Sequence, residues 1–77
     1  MRTVEITREP VELYKILKFE GMVASGGEAK MVIADGMVLV NGEVETRKRK
    51  KIVAGDRIAF DGEEVLIQVA ATDATTT

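Results

Sequence analysis

Ser25-Gly26-Gly27-Glu28-Ala29-Lys30-Met31-Val32-Ile33-Ala34-Asp35-Gly36, continuing as Met37-Val38-Leu39-Val40-Asn41-Gly42, holds the switch that decides the fold. Its first half is helical. Ser25 and Glu28 have the spacing of a capping box, in which each side chain reaches the other residue's backbone N–H. Ala29, Val32 and Ile33 form one apolar face, Lys30 falls off it, and Gly36 ends the helix. Past Gly36 the period drops to two. Residues 37–40 read as a strand, and Asn41-Gly42 is a strong signal for a tight hairpin, because both residues tolerate positive φ.

N-terminal to this switch, Leu13, Ile16 and Leu17 recur at helical spacing, with Lys15 and Lys18 on other faces. Pro10 suits the first turn of that helix, and Gly21 is its expected C′ residue. The sequence therefore predicts two helices of about ten residues joined by a short loop. Residues 1–9, with Thr3-Val4-Glu5-Ile6-Thr7 alternating, read as a short strand or an extended arm. C-terminal to the switch, Glu43-Val44-Glu45 returns the hairpin, and Ile52-Val53 follows a run of cations. Ala54-Gly55-Asp56 turns, Arg57 to Phe60 is a strand, Asp61-Gly62 turns again, and Glu64 to Val69 is the last strand. The segment 70–77 has no apolar pattern and is expected to be a disordered tail. Helices first and strands afterwards give an α+β class: a two-helix hairpin packed on a small twisted antiparallel sheet. Seventy-seven residues make one domain with a thin core.

Composition narrows the function. The chain holds no cysteine and no histidine, which removes thiolate chemistry, the commonest metal ligand and the commonest general base. Asp56, Asp61, Glu63 and Glu64 stand at turns, where turn chemistry accounts for them without a bound metal. No cofactor and no enzymatic activity is expected. No apolar run approaches the roughly 20 residues of a membrane helix. With no hydrophobic signal region at the N-terminus, the expectation is a soluble protein of the cytoplasm.

Arg47-Lys48-Arg49-Lys50-Lys51 is the chemical anomaly. The chain carries 11 basic and 13 acidic residues, a net −2; without the run, six basic residues face thirteen acidic ones, or −7. Five adjacent like charges repel one another, and a polyanion is the natural compensation. If the segment is extended, Arg47, Arg49 and Lys51 point one way and Lys48 and Lys50 the other. The run also reads as a solvated loop guarding a sheet edge, and its composition matches a nuclear import signal. Ser25-Gly26-Gly27 opens a helix whose N–H groups suit an anion, although an ordinary capped start explains it as well. Lys30 lies one turn further in. Asn41 is primarily a turn residue with a secondary part in binding. Arg57 follows Asp56, so a local ion pair competes with any other use. Tyr14, Phe19 and Phe60 do not have the spacing of a base-stacking platform; Phe60 reads as core. Met31 and Met37 read as packing residues.

The order Leu13-x-x-Ile16-Leu17, Ser25-Gly26-Gly27-Glu28-Ala29-Lys30, Gly36-Met37-Val38-Leu39-Val40-Asn41-Gly42 and Gly55-Asp56-Arg57-Ile58 resembles the S4 RNA-binding domain, also called the alpha-L motif. The likeness spans residues 10–69. Glu45-Thr46-Arg47-Lys48-Arg49 and Ile52-Val53-Ala54-Gly55 are similar to segments of its small stand-alone bacterial members. The resemblance implies a helical hairpin beside a twisted sheet, and non-catalytic binding of structured RNA, often ribosomal or transfer RNA. Many members carry an arginine early in the first helix and another just after the serine of the second. Here those places hold Glu12, Leu13 and Gly26, so the cluster 47–51 would supply the charge instead. The expected interface is Arg47, Lys48, Arg49, Lys50 and Lys51, with Lys30, Ser25, Gly26 and Gly27 as a neighbouring wall. The expected protein is a monomer, bacterial and ribosome-associated. The rival reading is a protein-interaction module docking on an acidic partner.

Overall fold

The computed structural model describes residues 2–70. The elements run β1 (Arg2–Ile6), β2 (Val11–Glu12), α1 (Leu13–Phe19), α2 (Gly26–Ala34), β3 (Val38–Val40), β4 (Glu43–Val44), β5 (Lys51–Ile52), β6 (Arg57–Phe60) and β7 (Glu63–Val69). Five strands form one sheet in the order β1-β7-β6-β3-β4, and β2 pairs with β5 as a separate antiparallel ribbon. The α+β architecture of a helix pair on a sheet is the expected one.

Alternation along the strands sends one set of side chains to the helices. Val4, Ile6, Val38, Val40, Ile58, Val65 and Ile67 share a single buried cluster with Leu13, Ile16 and Leu17 of α1 and Ala29, Val32 and Ile33 of α2. No polar or charged side chain is buried among the described residues. Both helices stop as their glycines dictate. Gly21 (φ +70°) donates to Lys18 O and Met22 to Leu17 O; Gly36 (φ +78°) donates to Ile33 O and Met37 to Val32 O. Each pair is a Schellman closure, which needs the left-handed residue that glycine supplies most cheaply.

The structure corrects four expectations. The sheet is mixed, not antiparallel: β1 runs parallel to β7, with Val4 opposite Ile67 and Ile6 opposite Val69. The N-terminal segment is thus a strand whose Val4 and Ile6 are buried. Pro10 stands before the helix, not in its first turn, because Val11 and Glu12 pair with Ile52 and Lys51; α1 is left with seven residues, 13–19. Glu28 does not reach the N–H of Ser25. Its carboxylate accepts from Ala24 N at 2.8 Å, while Ser25 Oγ accepts from Glu28 N at 3.1 Å. Met31 and Met37 are 58% and 55% exposed and pack little. Of the tail expected over 70–77, residues 71–77 lie outside the described residues, and Ala70 is ordered by pairing, its N–H donating to Ile6 O.

Candidate nucleic-acid interface

The run 47–51 begins three residues past the end of β4, and its last member, Lys51, opens β5. Ile52, fully buried, anchors the far end in the core. Between them the chain is turned, not extended: Lys50 N–H donates to Arg47 O at 3.2 Å, closing a turn over Lys48 and Arg49. The alternating display expected of an extended segment is therefore absent. The cause lies in the neighbouring helix. Its N-cap, Glu12, offers no side-chain cap, and the first helical N–H groups need acceptors. Leu13 N–H takes Lys50 O at 3.0 Å and Tyr14 N–H takes Lys48 O at 3.1 Å. The carbonyls of the basic turn thus cap α1.

Four side chains of the turn, those of Arg47, Lys48, Arg49 and Lys51, are exposed, and Lys50 is half-buried. Together with Thr46 and with Ala34, the last residue of α2, the five line an open concavity of about 660 Å³. Arg47 alone is neutralised from within. Its Nε meets Glu45 Oε2 at 2.9 Å and its Nη2 meets Oε1 at 3.3 Å, while its backbone N–H donates to Oε2 at 3.0 Å. The side-chain hydrogen bond from Arg47 is the main reason the Glu45 carboxyl sits below its ordinary range; the charges of Arg47 and Lys50 add to it and partial desolvation opposes it. The same hydrogen bond raises Arg47 above its ordinary value. Among the described residues, Lys48, Arg49, Lys50 and Lys51 enter no ion pair.

Lys30 joins this region through Tyr14. Its Nζ lies 4.9 Å from the centroid of the Tyr14 ring, within cation–π range, and the backbone of Tyr14 is the one bonded to Lys48. Nothing in the sequence singles out Tyr14: its spacing to other aromatics is uninformative, and its place in the first turn of α1 is set by the structure. Ser25, Gly26 and Gly27 open the opposite end of α2 from Ala34. There Ser25 and Glu28 already supply two acceptors to the local N–H groups, and a Cβ on Gly26 would come within 3.9 Å of Lys18 Cδ.

Asn41 is engaged elsewhere. With φ +54°, followed by Gly42 at +85°, it forms the β3–β4 turn. Its Nδ2 donates to Asp56 Oδ1 at 3.1 Å and its Oδ1 accepts from Arg57 N at 2.9 Å. Asp56 spends its other oxygen on Val53 N at 3.0 Å, so no Asp56–Arg57 ion pair forms.

The fold, a helix pair packed on a small sheet, has known counterparts. The chain belongs to the S4 domain family, whose profile matches residues 4–68. The putative RNA-binding protein YbcJ of Escherichia coli (strain K12) is 50% identical over 68 residues, covering 87% of this chain and 97% of YbcJ. The probable ribosome maturation protein RlbA of Bacillus subtilis (strain 168) is 34% identical over 59 residues, covering 77% of this chain and 83% of RlbA. The solution structure of YbcJ from E. coli, described as revealing an alpha-L motif involved in RNA binding, aligns with a TM-score of 0.66 at 50% identity over 84% of each chain.

Proposed function

We propose that this chain binds structured RNA, with ribosomal RNA as its target class, and does so without catalysis. One observation carries the reading: four cations with no ion-pair partner among the described residues, Lys48, Arg49, Lys50 and Lys51, stand on a turn whose backbone is bonded to α1. Such a ridge suits the phosphates of a folded RNA, where each neutralised phosphate releases condensed counterions. Arg47 and Lys30 extend it, and the start of α2 at Ser25, Gly26 and Gly27, at the far end of that helix from Ala34 and beside Lys18, would add a more distant wall. Asn41 keeps its hairpin in shape. The names of the relatives support the reading: one is called a putative RNA-binding protein, the other a probable ribosome maturation protein. A monomer acting in the cytoplasm fits it.

The test is filter binding to protein-free ribosomal RNA across a salt series. Each phosphate-contacting cation replaced by glutamine lowers the slope of log K against log salt by roughly one. Unchanged binding after replacing all five residues 47–51 disposes of the reading. Capture of the same partner from lysate before and after nuclease treatment separates RNA from an acidic protein, since only a direct protein partner survives the nuclease.

A further inference from the structure

Glu45 presents a paradox at a cationic site: a carboxylate, 13% exposed, placed against the first cation of the run. Charge alone makes it a competitor of any phosphate. Geometry gives it another part. A guanidinium carries its N–H donors in a rigid planar fork with two usable edges. Glu45 occupies the Nε and Nη2 edge, and the same carboxylate is fixed by the N–H of Arg47 itself. The donors left over are those of Nη1 and the outer side of Nη2. They form the second edge, whose geometry matches a bidentate phosphate contact. Arg47 lines the concavity with the other four cations, and its side chain is 73% exposed.

We infer that Glu45 is a positioning residue: it clamps one edge of the Arg47 guanidinium so that the free edge is presented to an RNA phosphate. The inference rests on the proposed RNA-binding reading of the ridge. It has a consequence opposite in sign to simple electrostatics. Replacing Glu45 with glutamine removes one negative charge from the site and yet weakens binding, because an arginine no longer held by two acceptor oxygens loses its aim.

The experiment measures binding of protein-free ribosomal RNA by Glu45→Gln, Arg47→Lys and the double variant, with thermal unfolding of each as a check on folding. Glu45→Gln alone is expected to weaken binding about three- to ten-fold, in the lower part of the roughly two- to 150-fold that coupled neighbours span. Lysine has no second edge to aim, so in the Arg47→Lys background the same substitution is expected to tighten binding. That reversal is something a merely structural role of Glu45 would not produce. Tighter binding by Glu45→Gln in the native background, or an equal loss in both backgrounds, overturns the inference while leaving the ridge intact. Loss of the RNA reading itself shows up separately, as unchanged binding when all five cations are replaced.

Discussion

Single residues decide how the cationic turn is held and which acid limit it tolerates. Glu45 titrates below its ordinary range because Arg47 is hydrogen-bonded to it. A depressed carboxyl stabilises the fold above its unfolded value, near pH 4.3, and that contribution fades as pH falls through the lower folded value. Glu45→Gln is therefore expected to melt slightly below the native chain at pH 7, and to match it in acid once the native carboxyl is protonated; melting curves from pH 7 down to 2.5 check this. Asn41 is the sharper case. It is a non-glycine residue at positive φ whose amide joins the β3–β4 turn to Asp56 and Arg57. Asn41→Ala removes both side-chain bonds and leaves an alanine in the left-handed region. A loss of about 2–3 kcal/mol is expected from those two costs together, measured by urea denaturation. Much of this scale was legible in the sequence: Asn41-Gly42 declared its turn, and Ser25 its cap. The Glu45–Arg47 clamp was not, because nothing in a run of charges says which member is paired until the backbone places the acid.

Among the elements, α2 carries its own start and stop signals, whereas α1 depends on others. Ser25→Ala removes the acceptor for Glu28 N–H and is expected to cost about 1 kcal/mol. Gly36→Ala meets only ordinary contact, with Val44 Cγ1 3.5 Å from the added carbon, so its cost comes from φ +78° and is about 1–2 kcal/mol. For a domain of this length each kcal/mol lowers Tm by about 4–8 °C, which calorimetry resolves. The sequence announced both sites. It could not announce where α1 begins, because its cap comes from the carbonyls of Lys48 and Lys50, more than thirty residues away. The same distance hid the β2–β5 ribbon and made Pro10 look like a helix starter. Local signals report local bonds; a two-residue strand that exists only through its partner leaves no periodicity of its own.

At the scale of the whole molecule, the N-terminal strand closes the fold. Parallel pairing of β1 with the last strand joins the two ends of the described chain, and alternation alone could not distinguish it from a loose arm. Val4 and Ile6 are both more than nine-tenths buried. Removing residues 2–6 forfeits their burial, about 1.5–3 kcal/mol each, along with a run of ladder bonds. A domain this short has roughly 3–5 kcal/mol to lose. The truncated chain is expected to lose its dispersed amide spectrum altogether, whereas an accessory arm would leave the remaining resonances in place. The charge distribution belongs to this scale too. In a net-anionic chain the five adjacent cations of the 47–51 turn would, on the proposed reading, orient an approaching RNA as well as hold it.

Two carbonyls lent by the basic turn to α1 have a last consequence, for the thermodynamics of association. A polylysine-like tail is a flexible chain that must freeze when it meets its target. Here the backbone has already surrendered that freedom during folding, so on the proposed reading little entropy of ordering its backbone would remain to oppose an RNA partner.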